Sequence, residues 1–175
     1  GVGSGWSWEE YEALGVDFAR RGRRLDEYIE ALRVTWTEER ATYQGEFVRF
    51  ENAVMNPKPV TPGGPPIIIG GDSDAAMKRA ALLGDGWYGW WAQPDIHAHL
   101  GRLGEILNSH GRDLTDDDFD FKLGVPLPGI DPSQIESKVE IAKSLQIDEL
   151  VLAPPIPTKD FAEHLGLLAR AAGLS

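Results

Sequence analysis

The chain has 175 residues, a formal net charge of −11 and no cysteine. Its hydrophobic content of 42% and charged content of 26% are those of a soluble globular domain with a real core. The negative charge argues against nucleic acid as the main partner, because phosphate binding needs clustered lysine and arginine. No apolar run approaches the roughly 20 residues that cross a membrane. Without cysteine there are no disulfides, so we expect a cytoplasmic protein.

The first predicted element is a glycine-rich stretch, Gly1–Trp6, which is typical of the end of a strand. It is not a dinucleotide fingerprint, because Trp6 stands where the third glycine of that motif would fall. Ser7 is placed to cap a short helix. A longer helix is predicted from about residue 17 to residue 36 by its one-face apolar spacing. Its basic run, residues 20–24, favours a solvated face, with contact to a cofactor phosphate or an anionic tail as the alternative.

The helical pattern stops between residues 43 and 62. Pro57, Pro59 and Pro62 forbid a regular helix there. We expect a long loop with a small hairpin, packed over the next strand. Loops of this length in compact domains often serve as lids or binding loops.

The following stretch organises the rest of the chain. Three isoleucines, residues 67–69, lie between prolines and glycines and predict a short strand buried on both faces. The strand ends at Gly70 and Gly71, which can take positive φ and let a ligand approach the backbone.

A helix is predicted to begin at Asp74, capped by Asp72 or Ser73. The free N–H groups and the dipole at such a helix start form a ready anion site. A further strand is predicted from Gly86, so the unit comprises a strand, a phosphate-sized turn, a helix and a strand. An ordinary βαβ turn, with glycines placed for geometry alone, explains the spacing equally well.

Three more helices and two more strands are predicted after residue 90. The helices are expected from about 94 to 109, from a cap at Ser133 to 145, and over the last residues; the strands are expected at 119–125 and 148–153. His97 and His99 are two residues apart on a helix, so they point to different faces and cannot share a metal ion. We expect no metal site.

This alternation of strands and helices implies parallel strands joined by right-handed crossovers. Four strands and a stub are too few for a complete (β/α)8 barrel, which takes about 250 residues. The pattern is therefore that of either a small open α/β sheet or the second half of a barrel.

Five motifs in register resemble the bacterial luciferase-like superfamily, and are closest to its deazaflavin-dependent oxidoreductases, the coenzyme F420 enzymes. The motifs are Gly1–Trp6, Arg21–Glu27, Pro57–Pro59, Pro65–Gly71 and Gly84–Trp87. The resemblance implies an α/β fold that forms the C-terminal half of a TIM barrel, from the end of strand 4 through strand 8. It also implies a single domain over residues 1–175 that lacks about a hundred residues at its N-terminal side relative to the family.

The resemblance further implies a cofactor site and a chemistry. The cofactor phosphate is expected at Gly70, Gly71 and Ser73. The cofactor ring and its ribityl chain are expected near Gly3, Ser4, Gly5 and Trp6, with Trp87 beside them. The implied reaction is hydride transfer between F420, or FMN in the flavin branch, and a small organic substrate. Proton donors in the family tend to come from the first strands, so we name no catalytic acid or base.

Two other interpretations fit the same residues. One is a non-catalytic cofactor-binding or scaffold remnant of a barrel that has lost its first strands. The other is a different phosphate-handling barrel enzyme that shares only the turn. In either case a half barrel exposes strand edges and an apolar inner face, so we expect a homo-oligomer or association with the missing N-terminal half.

Overall fold

The computed structural model describes residues 1–91, 95–127, 129, 131–155 and 158–174, and helices and strands alternate, as expected, from residue 68 onward. The first part of the chain contains α1 (Trp8–Ala13), α2 (Arg21–Thr37), β1 (Ala41–Gln44) and β2 (Arg49–Ala53). The second part contains β3 (Ile68–Gly70), α3 (Asp74–Leu83), β4 (Gly86–Trp90), α4 (Ile96–Ser109), β5 (Asp120–Pro126), α5 (Pro132–Ser144), β6 (Glu149–Ala153) and α6 (Phe161–Ala171), with a 3-10 turn at Thr158–Asp160.

Strands β3, β4, β5 and β6 form one parallel sheet in chain order. Val2 adds a parallel bridge to Ile69 on the free side of β3. Ile67, Ile68 and Ile69 are all buried, as predicted for this strand. The predicted parallel sheet is confirmed.

All the helices that pack on this sheet share one apolar core on one of its faces. That core joins Leu25 and Ile29 of α2 to Trp87 of β4 and to the apolar sides of α3, α4, α5 and α6. Right-handed crossovers that always step in the same direction keep every helix on one face. A doubly wound open sheet would carry helices on both faces, so the architecture is that of part of a (β/α)8 barrel.

The opposite face of the sheet is open, and it is the face that lines the inside of a barrel. Trp90 is 41% exposed and Val151 37% exposed on this face. We expected the strand at 148–153 to be buried, and that prediction is wrong: along β6 the residues alternate between exposed and half-buried. The predicted association with another copy, or with further strands, depends on this open face.

Two aspartates fasten the amino-terminal edge of the sheet. Asp85 donates its N–H to the carbonyl of Ile67 at 2.8 Å, and its Oδ2 accepts the N–H of Ile67 at 2.7 Å. Asp148 makes the same reciprocal pair with Phe121, at 2.9 and 2.6 Å. Arg33 of α2 adds an ion pair to Asp85 at 2.9 Å, which ties that helix to the same edge.

The predicted small hairpin is formed, but the expected packing over the next strand is wrong: the hairpin packs against α2. The carboxylate of Glu27 accepts three successive backbone N–H groups of the hairpin turn, those of Glu46, Phe47 and Val48, at 2.7 to 3.2 Å. Arg20 and Arg23 pair with the Glu46 side chain. Part of this basic run therefore contacts the hairpin, whereas Arg21 bonds to the carbonyl of Phe18 and stacks on its ring, before α2 begins.

A hydrogen bond between α2 and the hairpin gives a pH-dependent prediction. The Tyr43 hydroxyl donates to Glu30 Oε2 at 2.6 Å, and this bond, helped by burial and the Glu30 charge, raises the pKa of Tyr43 from 10.0 to about 12. Because the folded pKa is the higher one, the stabilisation is complete below pH 10 and is lost as the pH rises through 12. Absorbance titration should show Tyr43 ionising near pH 12, and Glu30→Ala should move its pKa down. Glu39→Ala, at an exposed carboxylate, should leave the titration unchanged.

Two helix starts differ from the sequence-based expectation. Residue 17 was expected to begin the long helix, but the Asp17 side chain accepts the N–H of Ala19 at 2.9 Å and forms a local turn, so α2 begins at Arg21. Ser133 was expected to cap α5. The cap is Asp131, which accepts the Ser133 N–H at 3.0 Å, with Pro132 as the first helical residue.

Candidate functional site

The two glycine-rich stretches predicted to serve the cofactor lie side by side at the carboxyl edge of the sheet. Val2 donates its N–H to Ile68 O at 2.9 Å and accepts the Gly70 N–H at 2.8 Å. Gly3 therefore runs beside Gly70, where an added Cβ would lie 3.7 Å from the Gly70 oxygen. Ligands of parallel α/β folds bind at this edge of the sheet.

The turn after β3 uses only one of its two glycines for an unusual conformation. Gly71 has a φ of 126°, whereas Gly70 pairs as an ordinary strand residue. The Gly71 N–H donates to Tyr88 O at 3.1 Å, which fastens the turn to β4. A Cβ on Gly71 would lie 3.1 Å from the Cβ of Ala76, so the turn packs closely on α3.

Ser73 caps α3. Its Oγ accepts the Ala76 N–H at 3.3 Å, and its carbonyl accepts the Met77 N–H at 3.0 Å. A helix leaves its first N–H groups without intrahelical partners, and one cap satisfies only one of them. The remaining donors and the positive end of the helix dipole face the carboxyl edge, where an anion would be stabilised.

The charges beside this helix start are paired. Asp74 binds Arg102 of α4 through two contacts, at 2.7 and 3.3 Å. The hydrogen bond from Arg102, with the nearby positive charge of Lys78, lowers the pKa of the Asp74 carboxyl. Arg79 points away from the turn, because it pairs with Asp26 of α2 and is 10% exposed.

Trp87 packs under the Gly70–Ser73 turn, on the helix side of β4. The sequence placed its ring beside the cofactor, but the structure buries this side chain completely, on the helix side of β4. Its Nε1 donates to Gly71 O at 2.8 Å, and its ring packs against Phe121 and His99. The bulky ring needs Gly89 above it, since a Cβ at that position would overlap the indole. Trp87 is therefore a support for the turn, without a surface of its own for a ligand.

The rest of the first stretch folds back onto α1. Tyr11 of α1 donates its hydroxyl to Ser4 O at 2.5 Å, and Gly5 takes a positive φ of 72° against the same ring. Trp6 projects outward and is 86% exposed. Gly3, Ser4, Gly5 and Trp6 therefore form one continuous segment that starts beside Gly70 and continues onto α1.

The structure adds two side chains that sequence reasoning missed. Asp72 does not cap α3; its Oδ1 accepts the Trp90 N–H at 3.2 Å and lies 3.2 Å from His99 Nε2. In the sequence, His99 was considered only with His97, as a pair that cannot share a metal ion. Only the packing of α4 against β4 brings it to the turn, so no local signal could have identified it.

A row of polar side chains crosses the open face of the sheet. Tyr88, Lys122 and Glu149 are register partners on three neighbouring strands and point to the same side. Lys122 Nζ lies 2.7 Å from Glu149 Oε2. Burial raises the pKa of the Tyr88 hydroxyl, and the negative charges of Asp72 and Glu149 raise it further. Tyr88 therefore stays protonated near neutral pH and can donate a hydrogen bond.

Neither a metal centre nor a membrane-spanning helix occurs among the described residues. Across them, no group of three or more His, Asp or Glu side chains is arranged to hold a metal ion. None of the helices in the same part of the chain combines the length and the apolar character needed to cross a bilayer.

Comparison with known proteins decides the family. A family model for luciferase-like monooxygenases matches residues 1–145. The chain belongs to the luciferase-like monooxygenase family. The resemblance seen in the sequence motifs is confirmed.

Curated relatives of this luciferase-like chain are longer than it is. An uncharacterized protein of Mycobacterium tuberculosis (strain H37Rv) is 32% identical over 163 residues, which cover 93% of this chain and 54% of the relative. An FMNH(2)-dependent dimethylsulfone monooxygenase of Pseudomonas fluorescens is 41% identical over 88 residues, or 49% of this chain and 23% of that enzyme. The chain thus spans about half, or less, of the length of the curated relatives it matches.

Solved structures confirm the fold class. Monooxygenase RslO1 from Streptomyces bottropensis superposes with a TM-score of 0.70 at 18% identity, covering 97% of this chain and 66% of that one. An F420-dependent secondary alcohol dehydrogenase in complex with an F420-acetone adduct gives a TM-score of 0.61 at 14% identity, covering 97% and 60%. The luciferase-like chain therefore has the α/β fold of part of a TIM barrel, as predicted.

Proposed function

We propose that this luciferase-like chain contributes the phosphate-binding part of an oxidoreductase site that uses coenzyme F420, or alternatively FMN, on a small organic substrate. The observation that carries the proposal is the capped start of α3 at the carboxyl edge of the sheet, just after the point where Gly3 runs beside Gly70. Family membership supports it, because the relatives and neighbours named above include FMN-dependent and F420-dependent enzymes.

The residues at the edge fit a phosphate. Gly70 and Gly71 present no side chain, so a ligand can reach the backbone of the turn. Ser73 offers a hydroxyl, and the first turn of α3 offers free N–H donors. Arg102 is also near the helix start, because it forms an ion pair with the Asp74 carboxylate. A phosphate bound here is held by several charge-assisted hydrogen bonds, which are the strong ones.

The residues around the edge also fit an extended, ring-bearing cofactor. Gly3, Ser4, Gly5 and Trp6 form a segment that leads away from the phosphate turn, and Trp90 is exposed on the open face of the sheet. When bound, the flavin or deazaflavin ring supplies the hydride chemistry. The chain anchors the phosphate, orients the ring along the segment, and offers the protonated Tyr88 hydroxyl to a polar group on the open face.

The sequence also raised the alternative of a different barrel enzyme that shares only the phosphate turn with the luciferase-like family. We set this alternative aside because the family match extends over residues 1–145. A non-catalytic cofactor-binding protein would bind the same ligands without turnover. Binding and turnover therefore test different parts of the proposal.

Binding is tested with two pairs of ligands that differ by their phosphate: FMN against riboflavin, and F420 against its phosphate-free deazaflavin. We expect the protein, at its full encoded length, to prefer the phosphate-bearing member of at least one pair by about tenfold or more. Quenching of tryptophan fluorescence measures each dissociation constant. Equal affinity within both pairs would contradict phosphate binding at the start of α3. If none of the four ligands binds, the cofactor proposal as a whole is wrong.

A further inference from the structure

The turn that receives the proposed phosphate is held by a histidine from the next helix. His99 lies on α4 with its side chain 14% exposed, and its Nε2 is 3.2 Å from Oδ1 of Asp72, which is 27% exposed. A carboxylate can only accept hydrogen bonds, so the Nε2 of His99 carries the proton in this contact. The His99 ring also packs against Trp87, with ring centroids 6.0 Å apart.

Asp72 connects the turn to the end of β4. The oxygen that faces His99 also accepts the backbone N–H of Trp90 at 3.2 Å. Gly71, the residue before it, is bonded to β4 through Tyr88 O and through the Trp87 indole. Because Ser73 caps α3, the Asp72 carboxylate is left to fix the turn against β4 and α4.

Helix α4 holds the turn on both sides of the cap residue. His99 contacts Asp72, and Arg102, three residues further along the same helix, contacts Asp74 at 2.7 Å. Residues three apart lie on the same face of a helix, so one face of α4 addresses both carboxylates. Ser73 lies between them in the chain.

These contacts also matter for charge. Asp72 and Asp74 would repel a phosphate bound at the start of α3 unless their carboxylates were engaged elsewhere. The side chains that contact His99 are the Asp72 carboxylate on the turn and the uncharged Trp87 ring on β4, and Arg102 lies three residues further along α4. His99 and Arg102 direct the two carboxylates toward α4 and away from the free N–H groups.

We propose that His99 is a positioning residue: through Asp72 it keeps the Gly71–Ser73 turn in the conformation that presents backbone N–H groups to the cofactor phosphate. This inference rests on the proposed function, and it goes further by assigning a role to two residues outside the phosphate contacts. Removing His99 frees the Asp72 carboxylate to swing toward the phosphate and loosens the turn.

The experiment measures the dissociation constants of FMN and riboflavin, and of F420 and its phosphate-free deazaflavin, for His99→Leu, His99→Gln, Asp72→Asn and the double variant. His99→Leu should weaken binding of the phosphate-bearing ligand by about tenfold, the value of one hydrogen bond to a charged group, and leave the phosphate-free ligand unchanged. His99→Gln should recover most of the loss, since its amide nitrogen can occupy the position of Nε2. The double variant should be no weaker than the worse single variant, because both changes remove the same contact.

His97→Leu is the matched control, since His97 is exposed on the same turn of α4. It should change neither affinity, and thermal unfolding of every variant separates a loss of fold from a loss of binding. Equal losses for the phosphate-bearing and phosphate-free ligands, or additive effects in the double variant, would overturn the positioning role. If the unsubstituted protein binds none of the four ligands, it is the proposed function that fails.

Discussion

Replacing Trp87 by alanine should lower the free energy of unfolding by about 3 to 5 kcal/mol, the usual cost of deleting a large buried aromatic side chain. Trp87 has no exposed surface and packs against Phe121 and His99 in the shared core. The substitution leaves a cavity under the phosphate turn, and it also leaves the Gly71 carbonyl without the indole donor. Urea unfolding followed by circular dichroism measures the change.

Two matched variants separate the contributions of Trp87. Trp6→Ala removes an indole that is 86% exposed, and should change stability by no more than about 0.5 kcal/mol. Trp87→Phe keeps most of the packing but loses the bond to Gly71 O, so it should weaken binding of phosphate-bearing ligands more than it lowers stability. A loss below about 1 kcal/mol for Trp87→Ala would contradict the buried position of this ring.

Replacing Gly71 by alanine should lower the affinity for the phosphate-bearing cofactor by about ten- to a hundredfold. A side chain at a φ of 126° is strained, and a residue held in such a region costs about 1 to 3 kcal/mol. The added Cβ would also press on Ala76, 3.1 Å away. The turn relieves this strain by leaving the conformation that binds phosphate. The apparent affinity falls because only the fraction of molecules still in that conformation can bind.

The control for this variant is Gly101→Ala. Gly101 lies in α4, and a Cβ added there would have no neighbouring atom within 4 Å, so alanine should stabilise the helix by about 0.5 to 1 kcal/mol and leave cofactor affinity unchanged. Fluorescence titration with FMN or F420 compares the two variants. An unchanged affinity in Gly71→Ala would show that the turn does not contact the phosphate.

The parts of the fold that could be predicted are those encoded locally. The strand at 67–69, the glycine turn, the Ser73 cap and the helix after it follow from β-branched residues, glycine freedom and side-chain capping within a few residues. Strictly alternating elements then indicated the parallel sheet. Two statements stay predictions: that residues 1–175 form one domain, and that the cofactor is F420 or FMN.

The parts that could not be predicted depend on which way a side chain points. Trp87 carries no local signal that distinguishes the helix side of β4 from the open side, and the indole lies on the helix side. His99 reaches Asp72 only because α4 packs beside the turn, 27 residues after it in the chain. The basic run at the start of α2 contacts Glu46 because the hairpin folds back onto that helix, which spacing alone does not show.

The reciprocal hydrogen bonds of two aspartates at the amino-terminal edge of the sheet affect which parts of this domain can change in evolution. Asp85 with Ile67 and Asp148 with Phe121 fix the alignment of neighbouring strands at the end of the sheet remote from the turn. Because a parallel sheet has one alignment along its whole length, the opposite end inherits it. Loops at the carboxyl edge can then change in length and sequence without letting the strands slip. One end of the sheet holds the strands in register, so the loops at the other end can vary and give new specificities.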